Sequence, residues 1–269
     1  MLLAAVARAR QPGCKFDEML VLESDQGMFK STALRALCPN EDWFSDDLPL
    51  NVDTKQIIER TLGKWIIEAS DLHGYGPSQV EHLKAMLSRR VDGPVRMAYA
   101  RMPTQRPRHF VLVGSTNSHV YLKDATGNRR FWPVRVTQLD IEGLRGVRDQ
   151  LWAEAAKREA DGESIRLNPD LYPLAALQQE RRRQIDPWEA SLEEAYPRDE
   201  SHRVTWDEIY GAVGLPVDRR NERAHGRLVK IMQQLGFRSL PVKRGKVVRG
   251  MGRDTEQWDL AAGDQSGEV

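Results

Sequence analysis

Residues 19–32 read M-L-V-L-E-S-D-Q-G-M-F-K-S-T. An apolar run, Met19 to Leu22, passes into a polar loop with one glycine, Gly27, and the loop closes on Lys30, Ser31 and Thr32. A helical pattern of Ala33, Leu34 and Leu37 follows. Strand, loop, Lys-Ser/Thr and helix in that order predict a phosphate-binding loop. Backbone N–H groups wrap the phosphates there, the lysine reaches the β and γ oxygens, and the hydroxyl holds Mg²⁺. The pattern G-x-x-x-x-G-K-[ST] places glycines where this chain has Ser24 and Phe29. The stretch therefore needs partners elsewhere in the chain.

Those partners occur in order downstream. Lys64 to Asp71 is an apolar strand run that stops on two carboxylates, Glu68 and Asp71, expected just past the strand. An acid at the carboxyl edge of such a sheet binds Mg²⁺ and orients the attacking water. His109 to Gly114 is the strongest strand in the chain and runs on to Asn117, an amide suited to holding a γ-phosphate or its water. Gly127-Asn128 then predicts a turn that presents Arg129 and Arg130. Arginine is the type of residue that neutralises transition-state charge in phosphoryl transfer. Continuous apolar runs bounded by polar loops, alternating with helices, predict an α/β core around a parallel sheet covered on both faces.

The flanking segments extend this plan. Residues 1–18 predict a short helix and a turn, and Asp53 or Thr54 caps a helix through Ile57, Ile58 and Leu62 that Gly63 ends. Ser78 is expected to cap a helix Val80 to Ser88, and a basic, irregular segment should follow it. Phe131 to Val136 predicts another strand. Leu139 to Glu159 and Leu177 to Arg183 predict helices. Domain boundaries are expected as a P-loop core over 1–160, a helical connector and linker over 161–203, and a basic domain over 204–260. A polar, disordered tail is expected over 261–269. In the third piece, helix, turn, helix and a hairpin around Lys243 to Lys246 is the order of a winged helix.

With 269 residues, 29% charged and 40% hydrophobic, the chain has the profile of a soluble globular protein. It lacks an apolar run of the roughly 18 residues that a membrane span needs. The opening Met1 to Val6 is short and lacks a basic lead, so a signal peptide is not expected. Cys14 and Cys38 lack metal-site spacing, which suits a reducing cytoplasm. The net charge of +1 conceals two basic blocks. Lys84 to Arg108 holds seven basic residues against one acid, and Val217 to Arg253 holds eleven against two. Such blocks point to a polyanionic partner.

With these residues in order, the chain resembles the virulence-associated protein E family, phage- and mobile-element-borne P-loop proteins related to superfamily 3 helicases. The resemblance rests on L-V-L-E-x-x-Q-G-x-x-K-S-T, W-F-S-D-x-L-P, G-K-W-I-I-E-x-x-D-L and L-K-A-x-L-S-R-x-V-D. It continues through V-G-S-T-N and D-x-T-G-N-R-R-F-W-P-V. It implies an α/β, AAA+-like P-loop core with a parallel sheet, followed by a small helical region and the winged-helix-like domain. Gln26, Gly27, Lys30, Ser31 and Thr32 match the nucleotide loop for ATP. Glu68 and Asp71 match the acidic site, with Ser31 and Glu68 on Mg²⁺. Asn117 matches sensor 1, and Arg129 with Arg130 the arginine-finger region. Lys84 to Arg108, with Lys84, Arg89, Arg90, Arg96 and Arg101, matches the segment lining a DNA channel. Arg219, Arg220, Arg223, Arg227, Lys243, Arg244 and Lys246 are expected to add DNA contacts in the C-terminal domain.

The resemblance further implies a homo-oligomer, with a hexameric ring the expected form, because the finger acts in trans. A separate primase is an expected partner, since relatives carry primase-like sequence upstream. Ser24 and Phe29 depart from the glycines of many P-loops, so slow hydrolysis is expected. The leading expectation is a Mg²⁺-dependent ATPase motor acting on DNA in replication. The alternative is a non-catalytic DNA-binding protein with a degenerate P-loop and a winged helix. A small-molecule kinase ranks last, because no motif for an acceptor pocket stands out.

Overall fold

The computed structural model describes residues 1–48, 50, 52–123, 127–244 and 246–253, with Pro77, Arg244, Lys246 and Val247 described in their backbone alone. It divides into two compact units between Gln184 and Ile185. The first unit runs α1 (Leu2–Arg10), β1 (Met19–Glu23), α2 (Lys30–Leu37), β2 (Phe44–Ser45), α3 (Thr54–Thr61), β3 (Ile66–Ala69), α4 (Pro77–Ser88), β4 (Val91–Val95), β5 (Thr104–Pro107), β6 (Val111–Thr116), β7 (Phe131–Arg135), α5 (Ile141–Ala160) and α6 (Tyr172–Glu180).

Five strands form a wholly parallel sheet in the order β2-β3-β6-β1-β7. Side chains alternate across it, as strand geometry requires. Met19, Val21, Ile67, Ala69 and Leu112 face one apolar layer with Ile57 of α3 and with Leu83 and Met86 of α4. Ile66, Val111 and Val113 face the other, against Ala4 and Ala5 of α1, Leu34 of α2 and Trp152 of α5. This two-sided burial explains why the strands read as unbroken apolar runs. Among the described residues, no helix is long and apolar enough to cross a membrane.

Several local expectations change. Glu68 lies inside β3 and not past it: at 0% exposure it shares the face of Ile66. The N-cap of α4 is Gly76, with Pro77 in the first turn, so Ser78 is already helical. The irregular basic segment is an antiparallel hairpin of β4 and β5. Its base is fixed by a buried ion pair in which Arg108 Nε and Nη2 each donate to Asp92 at 2.7 Å. Helix α6 starts at Tyr172 and ends at Glu180, because Arg182 and Gln184 leave it to pair with Tyr121 and Leu122. The expected connector is thus divided, its first part packing in this unit.

The second unit holds α7 (Pro187–Ala195), β8 (His202–Thr205), α8 (Trp206–Ala212), α9 (Glu222–Gln234), β9 (Arg238–Arg244) and β10 (Lys246–Arg253). Its antiparallel sheet has the order β8-β10-β9. The polar stretch expected as linker therefore already contains the start of β8. Asp186, Thr205 and Asn221 cap the three helices through their side chains, as short polar residues at that position do. Leu192, Ile209, Leu228, Ile231, Met232 and Met251 form the core. The end of the basic domain expected to reach residue 260, and the tail, lie outside the described residues.

Removing one partner of a buried ion pair leaves the other charge uncompensated, which costs about 3–5 kcal/mol. Asp92→Ala should lose that much in urea denaturation, whereas the double replacement Asp92→Leu with Arg108→Leu should lose less. A single-variant loss below about 1 kcal/mol would show the pair to be dispensable.

Candidate nucleotide site

Three strand ends meet at the carboxyl edge of the sheet. Glu23 of β1 is level with Thr116 of β6, and Ala69 of β3 with Gly114. From β1 the chain turns through Ser24 to Phe29 and enters α2 at Lys30. Gly27 takes φ 83° with open space around its Cα, a conformation suited to glycine. Phe29 takes φ 55° and ψ 30°, the left-handed region. The position from which a glycine is missing thus keeps the glycine-like backbone, and the ring, 67% exposed, points into neither apolar layer.

Lys30 is buried, and its Nζ donates to Asn117 Oδ1 at 2.7 Å and Ser24 Oγ at 2.8 Å. It also donates to the carbonyls of Ser24 and Asp25 at 3.1 and 3.2 Å. Burial lowers its pKa from the ordinary lysine value, partly offset by the charges of Glu68 and Asp25. Ser31 Oγ donates to Glu68 Oε1 at 2.8 Å, and Ser115 Oγ donates to the same oxygen at 2.5 Å. Glu68 Oε2 is buried without a hydrogen-bond partner. The structure therefore joins Lys30 to Asn117 and Ser31 to Glu68, two contacts between segments far apart in sequence. Thr32 follows as an exposed residue of α2, and Gln26 lies exposed in the loop.

Asp71 is placed differently. It is exposed, with φ 48°, at the start of a short 3-10 turn over Leu72–Gly74. Burial, then the charges of Asp71 and Glu68, push the Tyr75 phenol up to about 12. Sequence reasoning missed Ser115 as a partner of Glu68 and Ser24 as a partner of Lys30. Ser115 was discoverable, being two residues before Asn117 and on the Val111-Val113 face by strand alternation. Glu23 accepts from Tyr121 Oη at 2.8 Å and from Arg182 on both carboxylate oxygens, which leaves it fully satisfied.

Arg129 and Arg130 lie in a 3-10 turn that leads into β7. Phe131 is level with Met19, whereas the loop 24–29 leaves β1 after Glu23. Four strand residues separate the two edges, roughly 13 Å at the usual rise. These arginines consequently lie at the opposite edge of the sheet from Lys30. Arg130 Nε donates to Ser88 Oγ at 3.2 Å, while Arg129 is exposed. Both line a cavity of about 450 Å³ with Lys15, Arg166, Trp132 and Tyr172. Asp124, Ala125 and Thr126 of the same motif lie outside the described residues.

The expected DNA-contact residues separate into two kinds. Arg96, Arg101, Arg219, Arg223 and Lys243 are exposed. Lys84 is buried, 3.6 Å from Glu81, and so lies below the surface. Arg89 lies 3.4 Å from buried Asp92, and Arg90 Nε donates to Gly13 O at 2.7 Å. Arg220 bonds Asp207 at 2.7 Å and lies over Tyr210. Arg227 forks onto Asp186 at 2.6 and 2.7 Å and lies 3.9 Å over Trp188. These four guanidiniums already have partners within the fold. The side chains of Arg244 and Lys246 lie outside the described residues.

The virulence-associated protein E-like domain matches residues 1–184, and the chain belongs to that family. Those residues coincide with the first compact unit. Among solved structures, the chain is similar to an apo structure of the NrS-1 C-terminal region at 12% identity. That match covers 93% of this chain and 70% of the other with a TM-score of 0.42. A second form of the same region matches at 10% identity, with 93% and 69% covered and a TM-score of 0.40. A search of curated proteins returned no match.

A left-handed backbone costs a residue other than glycine about 1–2 kcal/mol. Phe29→Gly should therefore raise thermal stability by up to about 1 kcal/mol, and Phe29→Val should lower it. A melting temperature unchanged in both variants would place residue 29 outside the left-handed region.

Proposed function

We propose that this chain is a Mg²⁺-dependent ATPase motor, superfamily 3 helicase-like, that acts on DNA in the replication of a phage or other mobile element. One observation carries the reading: Lys30 meets Asn117, and Ser31 meets Glu68, whose second oxygen is buried and unpartnered, at the carboxyl ends of three parallel strands. Ligands bind at this edge in open α/β sheets. The placement of β1 between β6 and β7 supports an AAA+-like core. The order α7-β8-α8-α9-β9-β10 with sheet order β8-β10-β9 supports a winged-helix-like second unit.

ATP is the substrate in this reading. Its phosphates would lie on the loop 24–29 and the first turn of α2, where Phe29 offers no side-chain cap and the backbone N–H groups are open to an anion. Lys30 would compensate phosphate charge, and Asn117 would hold the γ end. The residues fit Mg²⁺: Ser31 supplies a hydroxyl and Glu68 a carboxylate oxygen with no competing donor, the oxygen ligands this ion takes. When bound, the ion neutralises charge on the β and γ oxygens. Glu68 is the acid placed to orient the attacking water, with Ser115 fixing its other oxygen. Asp71 has a supporting electrostatic part.

Arg129 is the better finger, since Arg130 is engaged by Ser88. Its position at the far edge of the sheet means that it would serve a neighbouring copy, which supports a ring such as a hexamer. The left-handed backbone of Phe29 supports a working phosphate loop and weakens the case for a degenerate one.

Phosphate release with and without DNA tests this. Lys30→Ala and Glu68→Gln should each cut the rate at least about 100-fold. Arg129→Ala should cut it by about three orders of magnitude. Mixing Lys30→Ala with Arg129→Ala chains should recover part of the rate, because each supplies what the other lacks. Full activity in Lys30→Ala would sink the proposal. Intact DNA binding with no phosphate release in the wild type would favour the non-catalytic DNA-binding alternative.

A further inference from the structure

The cavity beside Arg129 is built from three connections at the amino edge of the sheet. Lys15 and Asp17 lie between α1 and β1, Arg129 in the turn before β7, and Arg166 between α5 and α6. Trp132 of β7 and Tyr172 of α6 add two rings to the wall of a space of about 450 Å³. That is the size of a small-ligand site. Among the described residues, the charged ends of Lys15, Asp17, Arg129 and Arg166 have no ion pair or hydrogen bond, and neither have the Trp132 indole N–H and the Tyr172 hydroxyl. Their neighbours are engaged: Arg130 Nε donates to Ser88 Oγ at 3.2 Å, and Glu18 accepts from Asp17 N at 3.1 Å. Unpaired cations around one hollow repel one another, and an anion among them removes that cost.

The lining describes its ligand part by part. Two guanidiniums and an ammonium suit a phosphate, whose oxygens match the fork of an arginine. Trp132 is half-buried and Tyr172 is 53% exposed, so both have apolar π surface left for a flat ring. The carboxylate of Asp17 would repel a phosphate but accepts hydrogen bonds from hydroxyl groups, as the acid that holds ribose does in dinucleotide sites. Phosphate, flat ring and hydroxyls together make a ribonucleotide.

We propose that this cavity binds a ribonucleoside 5′-phosphate within one chain, apart from the loop 24–29. Lys15, Arg129 and Arg166 hold the phosphate, Trp132 and Tyr172 pack on the base, and Asp17 accepts from the ribose. An occupant that holds Arg129 keeps it from a neighbouring copy and so slows ATP hydrolysis. That consequence rests on the reading of Arg129 above, whereas the binding does not.

Isothermal titration calorimetry of the full chain with AMP tests the site, because AMP lacks the β and γ phosphates that the lysine of a phosphate loop reaches. Wild type and Lys30→Ala should bind AMP alike. Arg166→Ala, a change at an exposed side chain, should weaken AMP and ribose 5-phosphate about 10- to 100-fold each. Tyr172→Ala should weaken AMP about 2- to 10-fold and leave ribose 5-phosphate within about twofold. Any preference for AMP over 2′-deoxyAMP should disappear in Asp17→Ala. A wild type that does not bind AMP overturns the proposal, as does binding that is lost in Lys30→Ala and kept in Arg166→Ala. Phosphate release at saturating ATP then tests the competition for Arg129. AMP should slow the wild type, and the same AMP concentration should slow Arg166→Ala less. Unchanged wild-type turnover with the cavity filled overturns the competition. A chain that binds AMP in this way and releases no phosphate overturns the ATPase reading and leaves the cavity site standing, which separates the two failures.

Discussion

A carboxylate buried with half its hydrogen-bonding capacity unmet sets the terms for the first unit. Glu68 is wholly enclosed, and one oxygen takes both Ser31 and Ser115 while the other takes none. Such a group is costly unless something compensates it. Packing holds it in place: Ile66, Ile67 and Ala69 are fully buried, and β3 is paired to β2 and β6 on its two sides. The nearby cation is Lys30, itself disfavoured as a charge by burial. A cation and an anion held short of solvent on facing elements suit the proposed metal–phosphate ligand, which is charged on both sides.

Glu23 shows what a structural carboxylate looks like at the same edge. It is equally buried, but Tyr121 and both branches of Arg182 saturate it. Burial and the adjacent Glu23 drive the Tyr121 phenol far above its ordinary value, so it stays a hydrogen-bond donor. Through Arg182 this carboxylate draws residues 182–184 against Tyr121 and Leu122, which ends α6 early and carries the first unit to Gln184. Residue type does not distinguish Glu23 from Glu68; the count of partners does.

The sequence exposed what depends on order and periodicity. Strand, loop, lysine and helix, followed by an acid-ended strand and an asparagine-ended strand, placed Lys30, Ser31, Glu68 and Asn117 at one edge, because parallel strands carry their termini to the same side. What depends on depth or pairing stayed hidden. Whether Glu68 ends β3 or lies within it is a shift of a single residue, below what an apolar run resolves. The hairpin carries glycine and prolines and no alternation, so nothing in residues 91–107 announced two strands. Charge counting could not tell the exposed Arg223 from Arg227, which is folded onto Asp186 and Trp188, nor detect that Lys84 is buried.

Among the described residues, three other than glycine adopt positive φ: Phe29, Asp71 and Tyr99. Each is exposed, so core packing does not hold any of them there. Strain of this kind costs about 1–3 kcal/mol per residue and persists where the surrounding structure over-determines it. The three lie in the loop after β1, in the turn after β3 and at the tip of the β4–β5 hairpin. For Phe29, helix α2 and the Lys30 bonds to Ser24, Asp25 and Asn117 fix the loop on both sides. For Tyr99, the Met97–Ala100 and Arg96–Ala100 bonds close the turn around it. At Phe29 and Tyr99 a left-handed backbone that suits glycine carries an exposed ring.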